Sequence, residues 1–187
     1  LDGAELAAAL DLRDCPAWTT FERLELRGWW QAPVTLAQPA LRGLRELHGA
    51  NLATVAALCA ADSDDGAALQ PRRLARLQAS LGVDTDSPTE VAQWRIVLRG
   101  EGLPELRELT ITSHLDADER DELLASPLGA RLEHLTLTVS FGDAPTWLAD
   151  LARRERSSTT LTLVESFRSW RLSPSREASG QTTLHCT

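Results

Sequence analysis

The residues that could carry out acid–base or metal chemistry begin with four histidines, His48, His114, His134 and His185. None lies in a zinc-binding pattern such as H-E-x-x-H or H-x-x-E-H, which places two imidazoles on one helix face. His134 and Glu108 hold matching positions in two similar segments that are predicted to be neighbouring strands. Because such strands lie about 4.8 Å apart, the pair could form a catalytic hydrogen bond or an ordinary cross-strand contact. His48 beside Glu46 leaves the same alternatives open.

The remaining reactive side chains have simpler interpretations. Cys186 follows His185 directly, but adjacent side chains on an extended segment point apart and nothing orients the imidazole. The acidic run 62–66 is similar to a calcium loop but lacks its glutamate and its spacing, which favours a solvated turn. A P-loop needs lysine, and the chain contains none. We therefore predict no catalytic residue, no cofactor and no bound metal, with a small hydrolase using His134 and Glu108 as a remote alternative.

The elements that position these residues repeat with a period of 26 residues. Alternating apolar residues recur at this spacing, as Leu109 and Ile111, Leu135 and Leu137, and Leu161 and Leu163. Alternation at period two predicts strands with one buried face. The segment DADERDELLASPLG has leucines on one helix face and acidic residues in the first turn, and Pro127 and Gly129 end it. Repeated strand–helix units bury their apolar faces on one another, which predicts a parallel sheet with helices on the opposite surface.

Earlier segments repeat this pattern less regularly. The first position of each of the six units falls at residues 21, 44, 74, 106, 132 and 158, so the steps are 23, 30, 32, 26 and 26. In the last unit Ser158 replaces the leucine at this position. Gly49 occupies the place where the second segment should have its third apolar residue. Two further helices are predicted from their caps: one begins after Asn51, and one begins after Ser87, which forms a capping box with Glu90. Two more are predicted over GAELAAAL and APTWLADLARRER.

The segments LPELRELTITSHL, ARLEHLTLTVSF and SSTTLTLVESF resemble leucine-rich repeats, nearest to the helix-containing repeats of the ribonuclease-inhibitor kind. His114 and Ser140 stand at the asparagine position of the family pattern, so its side-chain ladder is missing or replaced. The resemblance implies a right-handed α/β solenoid with a parallel sheet on the concave face and helices on the convex face. It implies about six irregular repeats over residues 1–172, with a C-terminal cap near 165–172. A Ser/Thr-rich tail follows over 173–187, either mobile or forming a strand on the last edge of the sheet.

Composition limits the classes of partner. The chain has 19 basic residues, 27 acidic residues and a net charge of -8, whereas nucleic-acid-binding surfaces are usually basic. No run of 18 apolar residues occurs, and no leader pattern is visible, so no membrane contact is predicted. Three widely spaced cysteines argue against a disulfide framework and favour a cytoplasmic location. The absence of an initiator Met predicts a processed product or a piece of a larger chain or complex.

The strongest candidate for a binding surface is the row of polar residues that alternate with the strand leucines. These are Arg23, Glu25, Arg27, Glu46, His48, Arg76, Gln78, Glu108, Thr110, Thr112, His134, Thr136, Thr138, Thr160 and Thr162. Threonine is also simply a favourable strand residue. Trp29 and Trp30 either form an edge contact or pack beneath the turn. The predicted function is non-catalytic recognition of another protein, and the alternative is a regulatory or sensor module that tethers or inhibits a catalytic partner.

Overall fold

The computed structural model describes residues 22–26, 43–60, 73–139, 147, 159–165, 168–173 and 183–186. These residues form an α/β structure with one eight-stranded sheet, in which each strand pairs with the next along the chain. The strands are β1 (Arg23–Glu25), β2 (Glu46–Asn51), β3 (Arg76–Ser80), β4 (Glu108–His114), β5 (His134–Thr138), β6 (Thr160–Glu165), β7 (Arg168–Ser173) and β8 (Thr183–Cys186). The described helices are α1 (Leu52–Cys59), α2 (Pro88–Arg99) and α3 (Ala117–Ala125), followed by a 3-10 turn at Gly129–Arg131. The first six strands are parallel, whereas β7 and β8 are antiparallel to their neighbours.

The repeated leucines form a continuous row across the parallel strands. In sheet order the row consists of Leu24, Leu47, Leu77, Leu109, Leu135 and Leu161. Leu109 and Leu135 are each 1% exposed, and they belong to one core that also contains Val55, Trp94 and Leu123 of the three helices. The predicted side-by-side placement of Leu109, Leu135 and Leu161 is therefore confirmed.

Strand β2 contains a β-bulge that the sequence pattern did not reveal. The register with β3 shifts between His48 and Ala50, so Ala50 pairs with Ala79. Ala50 is 1% exposed and fills the third apolar position, which the sequence had assigned to Gly49. Gly49 is exposed, with φ of 78°. Glycine reaches this left-handed conformation without the steric cost that other residues pay, so the extra residue can leave the core face intact.

The predicted caps of the first two helices are confirmed in part. The Asn51 side chain accepts a hydrogen bond from the Thr54 amide at 2.8 Å, which caps α1. The Ser87 hydroxyl accepts one from the Glu90 amide at 3.4 Å at the start of α2. The Glu90 carboxylate, however, accepts from the Asp84 amide at 2.8 Å, so the observed bonds form only half of the predicted box. Gly100 ends α2 in a left-handed conformation.

Helix α3 has the complete capping box. The Asp116 carboxylate accepts from the Glu119 amide at 2.8 Å, and the Glu119 carboxylate accepts from the Asp116 amide at 2.7 Å. Glu119 is only 8% exposed. Burial raises the pKa of the Glu119 carboxyl above its ordinary value of 4.5, and the nearby charges of Asp116 and Glu122 act in the same direction, while hydrogen bonds from the Asp116 and Val83 backbone act against them. The folded state therefore binds this proton more readily than the unfolded state, so this group's contribution to stability falls as pH rises through the raised pKa.

Substituting Glu119→Gln is expected to raise the free energy of unfolding at pH 7. The amide oxygen of glutamine can still accept the bond from Asp116, while the cost of a buried charge disappears. The decrease in stability from pH 4.5 upward should also become shallower than in the wild type. Urea denaturation at pH 4.5, 5.5 and 7 measures both effects, with the exposed Glu105→Gln as the control for net charge. A Glu119 variant that is less stable at pH 7 and keeps the wild-type slope would contradict this assignment.

The end of the sheet reverses direction. Strand β7 pairs antiparallel with β6 and buries Trp170 and Leu172, which are 8% and 7% exposed. Strand β8 pairs with β7. Of the two predictions for the C-terminal tail, the strand on the last edge of the sheet therefore fits residues 183–186.

Within the predicted helix APTWLADLARRER, Trp147 is helical and buried, and the Arg120 guanidinium lies 4.9 Å from its ring centroid. Several features of the sequence analysis lie outside the described residues: the helix predicted over GAELAAAL, the acidic run 62–66, Arg27, Trp29, Trp30 and Ser140. In the described ranges, no helix has the length and apolar character needed to span a membrane.

Candidate functional site: the open face of the sheet

The side chains that alternate with the buried leucines form the face of the sheet opposite the helices, which we call the open face. Its first row comprises Arg23, Glu46, Arg76, Glu108, His134 and Thr160, and its second row comprises Glu25, His48, Gln78, Thr110, Thr136 and Thr162. All of these residues are exposed or half-buried, whereas Leu47, Leu77, Leu109, Leu135 and Leu161 between the rows are buried. The structure thus brings twelve of the fifteen sequence-predicted residues into two aligned rows.

Four residues of the first row form an alternating set of ion pairs, which we call the charged row: Arg23, Glu46, Arg76 and Glu108. The Arg76 guanidinium lies 2.8 Å from the Glu46 carboxylate and 3.1 Å from the Glu108 carboxylate. Arg23 lies 3.9 Å from Glu46. Hydrogen bonds to Glu108 and then to Glu46 raise the pKa of Arg76. Since the Arg76 side chain is 55% exposed, solvent screens these pairs and their main effect is to orient the side chains.

His48 is held by its neighbours on the second row. Its Nδ1 atom lies 2.7 Å from the Gln78 side-chain oxygen, and because that oxygen can only accept, Nδ1 carries the hydrogen. The Nε2 atom is buried and has no hydrogen-bond partner among the described residues. It lies 3.8 Å from the Glu46 carboxylate, which is too far for a hydrogen bond. The possible acid–base pair of His48 and Glu46 is therefore a loose electrostatic contact in this structure.

The second possible acid–base pair, His134 and Glu108, has the predicted register, but Glu108 contacts a different residue. His134 is the direct neighbour of Glu108 across β4 and β5, as the repeat predicted. The Glu108 carboxylate, however, contacts Arg76 on the other side, and the described residues show no hydrogen bond between Glu108 and His134. Arginine competes well for a carboxylate because it is always charged and presents several donors in a fixed fork. This geometry favours a structural role for Glu108.

Two of the predicted threonines bond to the sheet itself. The Thr112 hydroxyl donates to the Ala79 carbonyl at 3.3 Å, and the Thr138 hydroxyl donates to the Ile111 carbonyl at 3.2 Å. Each bond joins a threonine to the third apolar position of the preceding strand. The 26-residue spacing would place Thr112 beside Thr138, but a register shift after Ile111 places His114 there instead. Thr112 and Thr138 therefore stabilise strand pairing and are weaker candidates for partner contact than Thr110 and Thr136.

The open face continues onto residues that the sequence analysis missed. Val164 is 37% exposed and is the large hydrophobic residue most accessible to solvent in the described part of the chain. On β7, Arg171 is exposed beside Thr162, and Ser169 lies beside Val164. The alternation of buried Trp170 and Leu172 with polar residues in RSWRLS is the signal that could have identified this strand.

The described residues contain no metal site, and the Cys59 thiol is buried. No group of three or more His, Cys, Asp or Glu side chains in these ranges could hold a metal ion. Cys59 is 4% exposed, and burial raises the pKa of its thiol to about 12, with Arg131 acting in the opposite direction. The thiol is therefore protonated at neutral pH.

Comparison of the chain with protein-family models, curated proteins and solved structures found no match. The geometry of the open face is therefore the basis for assigning a function.

Proposed function

We propose that this chain is a recognition module, built as a leucine-rich-repeat-like solenoid, that binds another protein through the open face of its sheet without catalysing a reaction. The observation that carries the proposal is the pair of aligned rows, in which six parallel strands each contribute one side chain to each row. Stacked strand–helix units use such extended surfaces to bind partners.

The size of the open face suits an extended segment of a partner protein. Six strands have five gaps of about 4.8 Å, so the face is about 24 Å wide. An extended chain rises about 3.3 Å per residue, so about seven residues would cross it. The side chains of the charged row are already paired, and those of the second row are short or held by neighbours. Binding would therefore immobilise few side chains, which lowers its entropic cost.

The bonds between successive turns support the solenoid part of the proposal. The Ser113 hydroxyl accepts a hydrogen bond from the Leu81 amide at 2.8 Å, which joins the end of β4 to the turn after β3. Ser113 lies one position before His114, which stands at the asparagine position of the leucine-rich-repeat pattern. The Ser113 hydroxyl can replace the missing asparagine, whose side chain in leucine-rich repeats binds the backbone of the turns.

The test uses a partner recovered from the native source by pull-down and then purified. Thr110→Arg and Thr136→Arg place long, charged side chains in the middle of the second row, where both native residues are half-buried. Each is expected to weaken binding at least tenfold in calorimetry. Thr89→Arg, on the exposed first turn of α2, is the matched control and should bind like the wild type. Loss of binding by Thr89→Arg alone would move the site to the helix side and reject the open face.

A further inference from the structure

The two halves of the open face differ in how their charges are satisfied. In the charged row, two arginines alternate with two glutamates, so the formal charges of these four residues sum to zero. A partner that contacts this row gains no net attraction and must compete with contacts of 2.8 and 3.1 Å. The N-terminal half of the face is thus poorly suited to supply the energy of binding.

The C-terminal half has an exposed cation and an exposed apolar side chain. Arg171 is exposed, and within the described ranges it forms no ion pair. Val164 is 37% exposed on the neighbouring strand. Between and beside them lie the half-buried hydroxyls of Thr136 and Thr162, which can donate or accept hydrogen bonds. Arginine is one of the residue types enriched at the hot spots of protein interfaces, and an exposed aliphatic side chain gains from being covered by an apolar group.

The spacing of the two residues defines the ligand. Thr162 pairs with Arg171 and Val164 pairs with Ser169, so Val164 and Arg171 are diagonal neighbours on the same face of an antiparallel pair. Such neighbours lie about 7–8 Å apart. In an extended peptide, side chains at positions i and i+2 point the same way and are about 7 Å apart. One peptide strand can therefore reach both residues with two alternate side chains.

We propose that Val164 and Arg171 form the anchor of the open face and bind an extended segment of a partner protein with the pattern acidic–x–aliphatic. The carboxylate pairs with the Arg171 guanidinium, the aliphatic side chain covers Val164, and the hydroxyls of Thr136 and Thr162 bond to the peptide backbone. This inference rests on the proposed function and adds the location and the chemistry of the ligand. Among the described residues of the open face, Arg171 is the cation that lies outside the charged row. One such cation on a chain of net charge -8 favours a carboxylate over a polyphosphate backbone, which needs several cations.

The test selects peptides from a random library displayed on phage, with the purified chain immobilised. The selected sequences should be enriched in Asp or Glu two positions from Leu, Ile or Val. A synthetic peptide of that sequence should bind Arg171→Glu at least tenfold more weakly than the wild type by fluorescence anisotropy. Val164→Thr keeps the β-branched shape and should weaken binding about threefold or more. Arg95→Glu, on the exposed face of α2, is the charge-matched control and should bind normally.

A charge exchange distinguishes direct pairing from a general loss of stability. The peptide whose acidic residue is replaced by arginine should bind Arg171→Glu better than it binds the wild type. The anchor is overturned, and the open face remains the binding surface, if the selected peptides contain no acidic residue. The same holds if Arg76→Glu abolishes binding while Arg171→Glu keeps it. Binding unaffected by Arg171→Glu, Arg76→Glu and Thr136→Arg alike would overturn both proposals. Self-association that depends on Arg171, with no peptide selected, would identify a second copy as the occupant and overturn the anchor.

Discussion

Replacing Leu109 with alanine is expected to lower the free energy of unfolding by about 2–5 kcal/mol, the usual cost of removing a buried leucine side chain. Leu109 is 1% exposed and lies between Leu77 and Leu135 in the middle of the leucine row. Strands on both sides fix its neighbours, so the space left by the missing atoms cannot readily close. Urea denaturation monitored by circular dichroism measures the change.

Leu24→Ala is the matched control for this substitution. Leu24 occupies the same row on β1, the first strand of the described sheet, but is only half-buried, and among the described residues it has a neighbouring strand on one side. Less apolar area is removed from contact and the edge can relax, so we expect a clearly smaller loss than for Leu109→Ala. Equal losses for the two variants would show that the leucine row is not the main source of stability.

Gly49→Ala is expected to destabilise the fold by about 2 kcal/mol or more. A φ of 78° costs an L-residue roughly 1–2 kcal/mol, and the new Cβ would collide with the backbone carbonyl of Leu26. The Leu26 amide donates to the His48 carbonyl at 2.8 Å, so the collision falls where β1 is joined to β2. Thermal or urea unfolding of the variant gives the magnitude.

Gly82→Ala separates this local strain from the general effect of adding a methyl group. A Cβ at Gly82 would lie 3.5 Å from the His114 carbonyl oxygen, which is an ordinary contact. Fewer unfolded conformations are available to alanine, so this variant should be unchanged or up to about 1 kcal/mol more stable. Similar destabilisation in both glycine variants would argue against the bulge as the cause.

The register of the parallel strands could be predicted because one face of the sheet is buried. A slip of one residue would turn every leucine toward solvent, so the alternation around Leu109, Leu135 and Leu161 determines how β4, β5 and β6 pair. The same logic placed His134 beside Glu108 and Thr136 beside Thr110. A periodic pattern carries this information because each unit repeats the same local requirement.

The irregular positions could not be obtained from that pattern. The bulge at Gly49 and the shift after Ile111 change the pairing by inserting residues, and the leucine spacing of a single strand does not record the register of its partner. The choice of Arg76 as the partner of Glu108 depends on competition between side chains of two strands. Val164 and Arg171 come together only because the chain reverses after β6, where the period had already ended.

That reversal also limits how such an array can change in length. A new parallel unit needs a neighbour whose strand runs in its own direction, and β7, which lies directly beside β6, runs the opposite way. Duplication or loss of whole units is therefore compatible with the sheet from β1 to β6, while a parallel unit inserted between β6 and β7 would break their antiparallel pairing. Lengthening the array on the β1 side would leave Val164 and Arg171 at the same distance from the C-terminal edge of the sheet.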